Sequence, residues 1–126
     1  MAYYAICAYD LRYCGLHGMN YTGVIQAFSD GEAQAVAEEE AYEVIEGYPA
    51  IYQEIDYDVE VAFHDKRASE EEKNEYRELL IQEDIGYQIA VVDEDIAKKY
   101  SLQDLDEKCY ELGYNEFVEE FCCAEL

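Results

Sequence analysis

The segment Glu54-Ile-Asp-Tyr-Asp-Val-Glu-Val-Ala-Phe-His64 decides how the rest of the chain is read. Ile55, Tyr57, Val59, Val61 and Phe63 take every second position, and Glu54, Asp56, Asp58 and Glu60 fill the gaps between them. Side chains alternate across a strand, so this pattern predicts a half-buried strand with one apolar face and one carboxylate face. Neighbouring acids on that face stand two rises apart, about 6.6 Å.

The flanks supply the elements that would pack on such a strand. Upstream, Ala2-Tyr-Tyr-Ala-Ile-Cys-Ala-Tyr9 is apolar on both alternating faces and reads as a strand covered on both sides. Residues 10–20, with two glycines, form a loop or wide turn, and residues 21–28 form a second strand. Ser29-Asp-Gly-Glu32 has capping-box spacing, which predicts a helix whose inward positions are Ala33, Val36, Ala37, Ala41, Val44, Ile45 and Tyr48. Glu32, Glu39, Glu43 and Glu46 fall on its opposite side, and Gly47 and Pro49 end it.

Downstream, a second capping box, Ser69 to Glu72, opens a helix to about Glu83 with Tyr76, Leu79 and Leu80 inward. Gly86–Val92 reads as a central strand. Ser101 to Asp104 caps a helix to Leu112, Gly113 stops it, and a last amphipathic helix runs from Asn115 to Cys123. The order β-β-α-β-α-β-α-α predicts an α+β fold, a four-stranded, mainly antiparallel sheet with helices packed on it. At 126 residues, the chain has the length of one domain spanning 1–126.

Charge narrows the partners. The chain carries 31 Asp and Glu against 8 Lys and Arg, a net charge of −23, so a phosphate backbone or an anionic membrane surface would meet it with like charge. No apolar run reaches the length of a spanning helix, and the first residues lack the basic start of a secretion signal, so the expected location is the cytoplasm. Fourteen Tyr, four Phe and a single Pro argue against disorder, despite the charge. The acids are also unevenly placed. Between Arg12 and Lys66 there is no basic residue, while twelve acids fall in that interval.

Such crowding costs folding free energy, because like charges opposed on one face each destabilise by a few tenths of a kcal/mol. A solvated acidic face is the plain explanation, and adaptation to high salt is another. The 53-residue gap in basic residues favours a third: a fixed carboxylate array with a spacing close to the roughly 6–7 Å between phosphates along a nucleic-acid strand. In its shortness, acidity and Tyr content the chain resembles the DNA-mimicking antirestriction and anti-CRISPR inhibitors of phages and mobile elements. That resemblance implies a non-catalytic inhibitor, acting in a bacterial host cell, that occupies the basic nucleic-acid channel of a defence nuclease, whether a CRISPR effector or a restriction enzyme. The partner-binding residues on this reading are Glu54, Asp56, Asp58 and Glu60 with Glu32, Glu39, Glu43 and Glu46. The alternative is an acidic adaptor or regulatory module that binds through Tyr-bearing surfaces and the C-terminal helices, with Tyr114, Phe117 and Phe121 dominant.

Catalytic and metal signals are weak. Cys14-Gly-Leu-His17 has ligand spacing, to be completed by Cys7, Cys122 or Cys123, but the second pair of a zinc site is missing. Cys14 with His17 or His64 offers a nucleophile pair that nothing marks as activated, and adjacent Cys122 and Cys123 suit reduced thiols better than a disulfide framework. His64-Asp65 lacks the further histidines of a metal-dependent phosphohydrolase. A calcium loop starting at Asp56 fails at Val61, where Gly is needed, and at Arg67, where Glu is needed. No enzyme activity, metal or cofactor is therefore expected.

Overall fold

The computed structural model describes residues 1–13 and 20–126. Its centre is β1 (Ala2–Asp10), which pairs antiparallel on one side with β2 (Tyr21–Ala27), from Ala2↔Ala27 to Ala8↔Tyr21. On its other side β1 pairs antiparallel with β3 (Ile85–Val92), from Tyr4↔Val91 to Asp10↔Ile85. A short β4 (Cys122–Glu125) lies against the far edge of β3, where Ala90↔Glu125, Val91↔Ala124 and Val92↔Cys122 are partners and the register shifts at Val91/Val92. The sheet order is β2-β1-β3-β4, all antiparallel. Six helices complete the α+β architecture among the described residues.

The both-faces pattern of β1 has its expected cause, because helices cover the sheet on two sides. On one face Tyr4, Ile6 and Ala8, with Ala27 and Ile89, meet α1 (Asp30–Gly47) through Ala33, Ala37 and Ala41. Three alanines on one stripe bring the helix close to the sheet. On the other face Ala5, Val24, Ala90 and Val92 pack against Leu105 and Cys109 of α5 (Leu102–Leu112) and Tyr114 and Phe117 of α6 (Tyr114–Phe121). The anticipated caps form: Ser29 accepts from the Glu32 amide at 3.1 Å while Glu32 accepts from the Phe28 amide at 3.2 Å, Ser69 accepts from Glu72, and Ser101 accepts from Asp104.

The segment expected as the half-buried strand is a helix. α2 (Pro49–Ala62) follows α1 with only Tyr48 between them, and Pro49 starts it at its first turn as well as closing α1. Alternation at i, i+2 contains within it a repeat at i, i+4, and Ile51, Ile55 and Val59 supply that repeat as the buried stripe. Tyr57 and Val61, inward on the strand reading, face outward at 69% and 55% exposure. Tertiary packing decides between the two periods. α2 lies against α3 (Glu70–Glu83) and the end of α1, where Ile45, Ile51, Ile55 and Ile81 enclose a third core that a strand at this point would leave open. Leu79 of α3, expected inward, is 60% exposed, and Ile81 is the buried residue of that helix.

Two smaller departures occur towards the C-terminus. A short α4 (Glu94–Lys99), capped by the Asp93 carboxylate, follows β3 directly. The last helix stops at Phe121 rather than continuing to Cys123, because the Asp93 amide takes the Phe121 carbonyl at 2.8 Å and the next residues pair with β3. No helix among the described residues is long and apolar enough to cross a membrane.

Candidate functional site

Helical geometry breaks up the carboxylate ladder. On a strand Glu54, Asp56, Asp58 and Glu60 share one face, but on α2 residues two apart are turned about 200° from each other. Glu54 and Asp58 therefore lie on one flank of the buried stripe, and Asp56 and Glu60 lie on the other. Each flank meets cations of this same chain. Arg12, in the turn after β1, donates to Asp58 at 2.8 Å and also to Asp84, with Glu54 4.0 Å away. The Tyr13 hydroxyl donates to Glu54. Arg77 of α3 donates to Asp56 at 2.5 Å, and Lys73 approaches Glu60 at 3.4 Å. These four acids hold α2 to its neighbours, and the array assigned to them as a docking face does not exist as a row.

Glu32, Glu39, Glu43 and Glu46 stand where the helical period places them. The buried stripe of α1 is Ala33, Ala37, Ala41 and Ile45, and the four glutamates project from the opposite side, all exposed. Along the axis they are separated by about 10.5, 6 and 4.5 Å, a row some 21 Å long. α1 carries seven acids and no Lys or Arg, and no ion pair to any of them forms among the described residues. Glu32 accepts the Phe28 amide and Glu46 a hydrogen bond from Tyr42, but among the described residues the row has no countercation, whereas the α2 acids are compensated. Its field already acts on a neighbour: partial burial, with Glu43 and Glu39 close by, raises the Glu40 carboxyl above its ordinary range.

Sequence patterning did not separate these two acidic groups, because both lie in the interval without basic residues. Arg12, its N-terminal boundary, was the one signal available, and the fold carries that cation back onto α2 from 46 positions away.

The remaining candidates fall differently. Cys14 and His17 lie outside the described residues. Cys7, Cys109, Cys122 and Cys123 are free thiols. Burial pushes Cys109 and Cys122 up to about 12, the direction of an inert thiol rather than a nucleophile. His64 and Asp65 sit 3.4 Å apart, both exposed, in the turn after α2, where Asp65 has a φ of 62°. Among the described residues no three His, Cys, Asp or Glu side chains are grouped to hold a metal ion. The aromatic residues of the adaptor reading belong largely to the core: Phe117 is fully buried, Tyr114 is 6% exposed, and half-buried Phe121 stacks on Phe117 at 4.8 Å between ring centroids. Comparison with protein-family models, curated proteins and solved structures found no match.

Proposed function

We propose that the protein is a non-catalytic polyanion mimic that binds a basic nucleic-acid-binding protein through the outward row of α1. The target class, a CRISPR effector or restriction nuclease of a bacterial cell, follows from the compositional resemblance to antirestriction and anti-CRISPR inhibitors. The observation that carries the reading is the contrast between two acidic helices of one chain. α2 has a cation within reach of each of its four acids, while α1 keeps four glutamates in a row with none among the described residues. Holding like charges along 21 Å of rigid helix is unfavourable for the isolated protein, and a cationic channel would relieve that repulsion on binding.

Glu32 contributes to the row from the first turn, while its carboxylate also closes the cap on the Phe28 amide. Lys and Arg side chains that ordinarily hold phosphates would meet Glu39, Glu43 and Glu46 as charge-assisted hydrogen bonds. Association would be fast and would weaken as salt rises, because steering by exposed charge is screened over about 10 Å at 0.1 M ionic strength. The test is capture of partners from a host carrying such nucleases, followed by competition with duplex DNA and guide RNA. The nucleic acid should displace the protein, and the triple variant Glu39→Gln, Glu43→Gln, Glu46→Gln should capture at least tenfold less of the same partner. Retention of the partner by that variant would remove α1 as the docking face.

A further inference from the structure

Two apolar side chains of α2 take little part in the packing of this chain. Tyr57 and Val61 stand 69% and 55% exposed, one helical turn apart. With Ala50 they fall within about 40° of one another, on the side of α2 turned away from Ile51, Ile55 and Val59. The stripe runs about 16 Å along the axis. Exposed apolar residues scattered singly are ordinary, but these share one face, and Ala50 and Tyr57 line a groove of about 380 Å3 with Gln53, Glu54 and Asp58. The sheet offers no comparable face among the described residues. α1 covers one side and α5 and α6 the other, and the Asp106 carboxylate of α5 closes the β2 edge by accepting the outward Val24 amide at 2.8 Å.

Charge beside the groove is only partly answered within the chain. Arg12 brings one positive charge to three carboxylates, Glu54, Asp58 and Asp84, which leaves an excess of negative charge along this margin. The Glu54 and Asp58 side chains remain 47% and 46% exposed. On the opposite margin the Glu60 side chain, 3.4 Å from Lys73, is also largely exposed. α2 itself contains no Lys or Arg. An apolar stripe between acidic margins complements an apolar stripe between basic ones. It does not complement itself, because a second copy laid on it would bring Glu54, Asp58 and Glu60 against the same three acids.

We propose that this face of α2 takes a basic amphipathic helix of a partner protein. Apolar residues of that helix, three and four apart, pack on Ala50, Tyr57 and Val61. Lys and Arg at its borders lie over Glu54, Asp58 and Glu60, their aliphatic stems following the Tyr57 ring while their charged ends meet the carboxylates. A helix fits where an extended strand does not, because the backbone groups inside α2 are bonded within it and offer a strand no partners. The face includes none of Glu32, Glu39, Glu43 and Glu46, and imitation of a polyphosphate requires no apolar stripe. This inference therefore goes beyond the polyanion reading and stands or falls separately.

The test uses three fluorescein-labelled peptides at physiological salt on the intact protein: LKKLLKLLKKLLKL, the same peptide with its four central residues in the D configuration, and the same pattern with Glu in place of Lys. The D residues interrupt the helix and leave composition and charge unchanged. The all-L basic peptide should bind at least tenfold more tightly than its D-containing form, and the acidic peptide should not bind. Tyr57→Ser with Val61→Ser should bring the two basic peptides within twofold of each other. Glu39→Gln with Glu43→Gln and Glu46→Gln should leave their ratio unchanged. In the parent protein, nuclear Overhauser contacts should join the peptide's leucine methyls to the Tyr57 ring and the Val61 methyls, a result that depends on no variant folding. Equal binding of the two basic peptides, a ratio that survives Tyr57→Ser with Val61→Ser, or leucine contacts confined to other residues would overturn the proposal. So would dimerisation of the parent that this double variant abolishes, which would assign the face to a second copy.

Discussion

Two sets of acids, chemically alike, should respond to neutralisation with opposite signs. In the first variant Glu54, Asp56, Asp58 and Glu60 become Gln or Asn, taking the net charge from −23 to −19. Their side chains are 42–65% exposed, which places each pair on the weak, solvent-screened scale. The two close pairs, Arg77 with Asp56 at 2.5 Å and Arg12 with Asp58 at 2.8 Å, contribute about 0.5–1 kcal/mol each, and the pairs at 3.4 and 4.0 Å a few tenths. Relief of the like-charge pairs Glu54/Asp58 and Asp56/Glu60, four apart on the helix, offsets a few tenths each, and the expected loss is about 1–2 kcal/mol. In the second variant Glu39, Glu43 and Glu46 become Gln, which relieves like charges three and four apart and removes anions from the last turns of α1. The expected gain is about 0.5–1 kcal/mol. Global repulsion falls in both variants, so a difference in sign isolates the local pairing. Urea unfolding followed by circular dichroism reads it directly. With a slope of about 1.5 kcal/mol/M the first variant's midpoint should drop by about 0.7–1.3 M and the second's should rise by a few tenths. Both shifts should shrink in high salt. A first variant as stable as the parent would refute the internal-clamp account of α2 and return its acids to the list of free docking groups.

The helical period of α2 can be checked alone: Ile55→Ala should lose about 2–5 kcal/mol, while Tyr57→Ser and Val61→Ser stay within about 0.5 kcal/mol, whereas a strand would penalise all three in the same unfolding assay. Alkaline unfolding should expose the tyrosines. The hydrogen bond from Tyr4 to Asp30 and the burial of Tyr42 push both phenols up to about 12. Their folded values exceed the unfolded value near 10, so the stability they contribute is complete below pH 10 and is lost as pH rises towards 12, read by phenolate absorbance alongside circular dichroism. Tyr4→Phe should flatten part of that loss. At the closed sheet edge, Asp106→Ala should leave the Val24 amide without its acceptor and cost about 1–3 kcal/mol, with faster amide exchange at Val24.

Much of the architecture was legible in the order of residues because local interactions set it. Ser29, Ser69 and Ser101 cap the helices that follow them whatever lies beyond, and the period of α1 puts Glu32, Glu39, Glu43 and Glu46 opposite its alanines without reference to any other element. β1 needed cover on both faces simply because both faces are apolar, and the sheet with helices on either side supplies it. Residues 54–62 were different. Ile55 and Val59 satisfy a period of two and a period of four equally, and the choice rests on Ile45 and Ile81, contributed by other helices, which make a helical stripe the arrangement that closes the third core. The pairing of Arg12 with Asp58 and of Arg77 with Asp56 depends in turn on that choice, since only a helix splits the four acids between two flanks. Charge content is therefore a property of the chain, but which charges are paired inside the molecule and which stay uncompensated on its surface is a property of how distant elements come together.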